Sequence, residues 1–237
     1  MLALMLFFKD KDSFGTPSEP ESPIIQKELP PSPIPESDPP PYPIASSSGA
    51  VRVNFLHLEQ SKRTIDDSWT VDPLLSVPPA LMPPPVDDKA DGVPNLSLKN
   101  THKPIITRLH LVSDRPCKSR IVVRAKHKDA TVTVVERQRQ SFCLYAKSSH
   151  GQVKVALPRD FNGPITLHNT FCKPELSEGI KAAMTPFSAP ADTTKIFLGS
   201  WDGYGGAEGL DEWLGDEVVL EGTHKPIKLL FTDEVKA

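Results

Sequence analysis

The chain has 237 residues, 26 of them proline, a charged fraction of 24% and a formal net charge of −3. That length admits one or two domains, and the near-neutral balance does not mark the whole chain as a nucleic-acid or membrane-surface binder. The three cysteines, Cys117, Cys143 and Cys172, stand far apart with no CxxC pair, so they fit neither a disulfide framework nor a zinc ribbon. They imply reduced thiols and a cytoplasmic protein.

From the start, Met1 to Phe8 is apolar but meets Lys9-Asp10-Lys11-Asp12 without a basic leader or cleavage site. It does not read as a secretory signal and is too short to span a bilayer, and no other run reaches transmembrane length. Eleven prolines follow between Thr16 and Pro43, and seven more lie between Pro73 and Pro94. Proline lacks a backbone donor and fixes φ, so these stretches favour polyproline II or open coil. Residues 1–50 are therefore expected to be a disordered arm, and 51–94 a partly extended connection from which strands between Val51 and Leu58 join the domain. Residues 95–237 remain as the all-β domain.

Within the arm, Pro39-Pro40-Pro41-Tyr42 matches the PPxY ligand of WW domains. There a preformed polyproline II segment lays its prolines and tyrosine into an aromatic-lined groove. Pro39, Pro40 and Tyr42 are the candidate partner-binding residues. Thr16-Pro17, Ser22-Pro23 and Ser32-Pro33 are of the type used by proline-directed kinases, but such pairs are expected in any Pro/Ser-rich segment.

Past Leu96 the pattern becomes alternation. Strands are predicted at Ile105–Val112, Arg120–Lys126, Thr131–Val135, Phe142–Ala146, Gln152–Ala156 and Pro164–Leu167, then at Lys195–Leu198, Glu217–Leu220 and Pro226–Phe231. One inward residue per strand (Ile121, Val132, Phe142, Val153, Ile165) recurs at intervals of 11, 10, 11 and 12. This regularity indicates an all-β fold, either a two-sheet sandwich or a β-roll or solenoid-like stack of short strands. No self-similar motif selects the solenoid. His150-Gly151 and Asn162-Gly163 read as tight turns that exploit positive φ. Cys143 reads as a small core residue, and Glu175–Met184 as two helical turns.

Charge is divided along the chain. Residues 100–175 carry 14 basic and 5 acidic side chains, while 176–237 carry 5 and 11. The simpler reading is that the halves complement each other across one fold. Arg120, Arg124, Lys126, Arg137, Arg139, Lys147 and Lys154 fall on outward strand positions, with few aromatics to make a stacking surface for nucleic acid.

No catalytic, metal or cofactor site is legible. The seven histidines (57, 102, 110, 127, 150, 168, 224) make neither HExxH nor a zinc spacing, and there is no nucleophile elbow or phosphate loop. Two alternatives to a protein-interaction module stand. Residues 201–213 combine Trp201, Asp202, Tyr204 and Trp213 with glycines, a composition suited to a carbohydrate- or surface-binding loop, or to a plain inter-strand loop. Glu212, Asp216 and Glu217 offer clustered carboxylates for a hydrolase.

The string Leu157-Pro158-Arg159-Asp160-Phe161-Asn162-Gly163-Pro164-Ile165, with Leu214-Gly215-Asp216-Glu217 downstream, resembles a family of unknown function abundant in mushroom-forming fungi. The likeness covers about the last 140 residues. It implies an all-β domain, often preceded by a Pro-rich, PPxY-like arm, and no activity. Physically, Leu157-Pro158 would end a strand, Phe161 would anchor in the core, and Asn162-Gly163 would turn the chain into the next strand.

Overall fold

Strands with one apolar face must pair that face with another sheet. The computed structural model, which describes residues 51–82, 92–138, 140–200 and 215–235, does so with two sheets. Its strands are β1 (Val51–Val53), β2 (Leu56–Gln60), β3 (Ile65–Val71), β4 (Leu96–Asn100), β5 (Ile105–Leu111), β6 (Cys117–Ala125), β7 (Ala130–Arg137) and β8 (Gln140–Ser148). They continue with β9 (Val153–Leu157), β10 (Gly163–Asn169), β11 (Glu175–Leu176), β12 (Met184–Phe187), β13 (Thr193–Leu198), β14 (Glu217–Gly222) and β15 (Ile227–Phe231). A short α-helix, α1 (Glu178–Ala183), lies between β11 and β12.

One sheet has the order β1-β3-β5-β7-β9-β15-β11 and the other β12-β13-β10-β14-β8-β6-β4-β2. Every neighbouring pair is parallel except β10 with β13 and β12 with β13. From β1 to β11, and again from β14 to β15, successive strands therefore alternate between sheets. The pairs β2–β3, β4–β5, β6–β7, β8–β9, β10–β11 and β14–β15 each form one coil of a stack, while β12 and β13 add to the edge of one sheet. The fold is a two-sheet parallel β-solenoid, the second of the two architectures expected from the strand spacing. Of the five inward residues spaced about 11 apart, Ile121, Phe142 and Ile165 lie in one sheet, and Val132 and Val153 in the other. The sequence interval is thus half a coil. Parallel sheets are usually covered on both faces; here the opposite sheet covers one face and the other meets solvent, which preserves the alternation.

The core is a set of columns running along the stack. In one sheet Leu96, Ile121, Leu144, Val218 and Ile165 are in register, and in the other Ile65, Ile105, Ala130, Val153 and Ile227. All ten are buried. The stacking order is not the chain order. Coil β14–β15 sits between β8–β9 and β10–β11, because β14 pairs with both β8 and β10, and β15 with both β9 and β11.

The turns from even to odd strands share one edge, and their fit explains the glycine at 151. A Cβ there would lie 2.2 Å from the carbonyl carbon and oxygen of Lys128. Gly151 is needed for close approach of two coils, and the positive φ expected at His150-Gly151 and Asn162-Gly163 is not found there; among the described residues Phe55, Gly92 and Gly199 have it. Asn162-Gly163 leads across the stack into β10, without a hairpin. Near Glu175–Met184, the expected helix is split: Glu175–Leu176 pairs as β11, and α1 begins only after the N-cap Ser177, whose Oγ accepts from Ile180 N at 3.3 Å. Cys143 faces outward, half-buried, on β8; the inward neighbour is Phe142. Burial, then the nearby Glu217 carboxylate, pushes the Cys143 thiol pKa up.

Segment 51–94 supplies β1, β2 and β3, the first of which pairs with the third. Ion pairs tie the basic and acidic halves together: Lys147 to Glu221 at 2.7 Å, Arg159 to Asp233 at 2.8 Å and Lys118 to Glu217 at 3.9 Å. Among the described residues, no helix is long and apolar enough to cross a membrane.

Candidate functional site

The edge opposite Gly151 carries a cleft of about 300 Å³ lined by Arg137, Gln140, Ser141, Asp160, Asn162, Gly215 and Asp216. Three chain segments build it: the turn from β7 to β8, the turn from β9 to β10, and the entry to β14. At its base Asp216, with 2% of its side chain exposed, meets Arg137, with 14% exposed, at 2.5 Å.

The Asp216 carboxylate is heavily engaged. Oδ2 accepts from Arg137 Nη1 and from Asn162 N at 2.9 Å, and Oδ1 accepts from Phe142 N at 3.2 Å. Burial raises its pKa, against the opposing pull of the Asn162 amide, Arg137 and the Phe142 amide. On Arg137, burial acts to lower the pKa, but bonding to Asp160 and attraction from Asp216 and Asp160 raise it overall. Nε donates to Asp160 Oδ2 at 2.7 Å, and Nη2 donates to the Asp160 carbonyl. Arg137 was expected on a solvated sheet face; it is instead a partly buried clamp between two carboxylates, because β7 ends there and its side chain turns into the cleft.

Two acceptors at this edge, Gln140 Oε1 and Asn162 Oδ1, are buried and receive no hydrogen bond from the described protein. Gln140 spends its amide on Ser119 Oγ. Asn162 Oδ1 sits against Gly199, whose φ of +97° and missing side chain allow the approach; a Cβ there would lie 2.3 Å from that oxygen.

The residues of the two signature strings converge here. Leu157 ends β9, Phe161 is buried with its ring edge-on to Phe142 at 5.7 Å, and Asp160 and Asn162 line the cleft. Asp216 N donates back to the Asn162 carbonyl at 3.2 Å. Arg159 points elsewhere, stacking over Phe231 at 4.1 Å while donating to Asp233. The strand end and the anchor read from this string are present, but the turn falls over Pro158–Phe161, where Phe161 N donates to the Pro158 carbonyl at 3.1 Å, and Gly163 already opens β10. Sequence reasoning missed the Arg137 clamp; the Gly215-Asp216-Glu217 string was the one signal pointing to it.

Asp216 and Glu217 are adjacent in sequence, so they point to opposite sides of the chain: Asp216 inward, Glu217 outward toward Lys118. Pro39, Pro40 and Tyr42 lie outside the described residues, as do Trp201, Asp202, Tyr204, Glu212, Trp213 and Arg139. Among the described residues, no group of three or more His, Cys, Asp or Glu side chains is placed to hold a metal ion.

The fold and this edge define a two-sheet parallel β-solenoid whose polar cleft is braced by a buried ion pair. The chain belongs to the family described as a domain of unknown function (DUF7330), whose model matches residues 54–234. The match starts well upstream of Asn95, in agreement with β2 and β3 being part of the stack. No curated protein matches the chain, and no solved structure does.

Proposed function

We propose that the protein is a non-enzymatic interaction module, in which Pro39, Pro40 and Tyr42 recruit a WW-domain partner and the solenoid offers its faces and edges as contact surface. The observation that carries the non-enzymatic part is the saturation of Asp216. A carboxylate holding an arginine and two backbone amides is a brace, with no lone pair directed at a reacting proton. The opposed directions of Asp216 and Glu217 also argue against a paired-carboxylate hydrolase. The partner-recruiting part rests on the PPxY string and its proline-rich setting. The described cysteines are free thiols, which supports placement in a reducing compartment such as the cytoplasm. A fungal source is part of the same reading, on the strength of the resemblance.

The test is affinity capture with the full chain and its Tyr42→Ala and Tyr42→Phe variants, read by mass spectrometry. Enrichment of WW-domain proteins that Tyr42→Ala loses is the expected result. Equal enrichment by Tyr42→Ala, or none by the parent, removes the recruiting role.

A further inference from the structure

The edge that carries Gly151 is lined, coil after coil, by aromatic rings in one row. His102 stacks on His127 with centroids 5.3 Å apart, His127 meets His150 at 5.0 Å, His150 meets His224 at 4.9 Å, and His224 meets Phe171 at 5.5 Å. Each ring sits two residues beyond the end of its even strand (Asn100, Ala125, Ser148, Gly222 and Asn169). Thr101-His102-Lys103-Pro104-Ile105 recurs identically as Thr223-His224-Lys225-Pro226-Ile227. The row is fixed from beneath: Asn100 Oδ1 accepts from the amides of His102 and Lys103, and Ser148 Oγ accepts from Gly151 N while donating to the Lys128 carbonyl.

The same turns concentrate positive charge. Residues 61–64, 101–104, 126–129, 149–152, 170–174 and 223–226 hold seven basic side chains and one acidic one, hence +6 before any histidine is protonated. Lys62 and Arg63 come from the first turn and Lys103 from the second. Lys126 and Lys128 flank His127, with Asp129 the single carboxylate, paired to Lys225 at 3.4 Å. The last turn adds Lys173 beside Cys172, whose thiol reaches the His224 carbonyl at 3.6 Å. Six coils at the usual strand spacing make a straight row about 24 Å long.

We propose that this histidine-lysine edge docks the protein onto an anionic lipid surface, and does so more tightly as the pH falls below neutrality. The ring faces are used on one another, so they give neither bases nor sugars a stacking platform. The described cleft lies on the other edge of the stack. What the edge does offer is a row of cations ending in Phe171, 70% exposed. Basic side chains beside an exposed aromatic are the combination that seats proteins at a lipid headgroup layer. Protonation of the four histidines would take the edge from +6 toward +10. Desolvation in the row, then repulsion from His150, Lys126, His102 and Lys128, lowers the pKa of His127. The docking is independent of the WW-recruiting motif.

The experiment is vesicle co-sedimentation of the full chain at about pH 5.5 and about pH 7.5, either side of the ordinary histidine pKa of ~6.5. Vesicles are phosphatidylcholine alone or phosphatidylcholine mixed with phosphatidylserine. Binding is expected only to the mixed vesicles, and about tenfold or more tighter at the lower pH. His102→Gln with His150→Gln should remove most of the pH gain and leave binding near pH 7.5 unchanged. Lys103→Gln with Lys126→Gln should weaken binding at both values, and Tyr42→Ala should bind like the parent. His102, Lys103, Lys126 and His150 are exposed, and circular dichroism checks that each variant is folded. Equal binding to phosphatidylcholine alone, a pH gain that survives the double histidine change, or capture by heparin with no vesicle binding each overturns the proposal. The last of these would assign the edge to a free polyanion.

Discussion

Asp216 and Asn162, 54 residues apart, are joined by two hydrogen bonds: the carboxylate of Asp216 accepts from Asn162 N at 2.9 Å, and Asp216 N donates to the Asn162 carbonyl at 3.2 Å. This clasp fixes the entry of β14 against the turn that launches β10. With Arg137 it ties three chain crossings together at one edge.

Removing one member of that clasp should be costly. Asp216→Ala leaves Arg137 partly buried with only Asp160 for company, and breaking a buried pair typically costs about 3–5 kcal/mol. Urea unfolding followed by tryptophan fluorescence and circular dichroism measures it. The double variant Asp216→Ala, Arg137→Met should recover a substantial part of the loss. A single variant within about 0.5 kcal/mol of the parent would show that the clasp is not a brace.

Gly151→Ala should also destabilise, for a different reason. The added methyl meets the Lys128 backbone, which cannot swing aside like a flexible side chain, so two coils must separate. Overpacking of this kind costs about 1–3 kcal/mol. The thermal midpoint should fall, and amide exchange should speed up in the 126–130 turn and at the start of β9. An unchanged midpoint contradicts the close-approach role.

Phe161→Ala should cost about 3–5 kcal/mol, the usual loss for emptying a buried phenylalanine site. Phe161→Leu should keep most of the stability while losing the edge-on contact with Phe142. Equilibrium unfolding of both variants tests whether Phe161 anchors the turn, since equal losses would point to backbone disruption instead.

Acid should weaken the far end of the stack first. Glu234 accepts from Ser177 Oγ at 2.6 Å, from Phe231 N at 2.8 Å and from Gly179 N at 3.2 Å, and these bonds, Ser177 first, hold its pKa below the usual 4.5. Its neighbour Asp233 is lowered chiefly by the hydrogen bond from Arg159. A depressed carboxylate contributes stability that is present above its unfolded-state pKa and lost as pH falls through the folded one. Asp216, raised by burial, acts with the opposite sign above 3.8. Stability against pH should therefore drop less steeply below 4.5 in Glu234→Gln than in the parent. Identical acid limbs would exclude Glu234 as a contributor.

The strands and their inward faces were legible because alternation depends only on which side chains meet the core. Pairing direction was not. An antiparallel meander and a parallel solenoid show the same period of two, and only the partner of each strand differs. The identical turns at Thr101–Ile105 and Thr223–Ile227 mark equivalent corners. The long connection after β3 and the excursion through α1, β12 and β13 break any constant repeat length between coils. Strands β3 and β4 escaped notice for a related reason: Ile65–Val71 carries Asp66 and Asp67 on its outer side and adjoining positions, and β4 is flanked by the proline cluster. Arg137 looked like one more outward cation because its partner comes from 79 positions away, beyond the reach of any local pattern.

The order of the coils bears on how the protein emerges from the ribosome. The coils β2–β3 through β8–β9 can stack as they are synthesised, each upon the last. The next coil made, β10–β11, has no permanent neighbour waiting, because its seat is one place further along. Until β14–β15 is translated, β8 and β9 present an open parallel edge, and an open edge is where β-proteins associate wrongly. The clasp of Asp216 on Asn162 lies at the entrance to that gap. It gives this last-translated coil a polar latch onto the turn that launches β10, in a seat that lies inside the stack and not at its end.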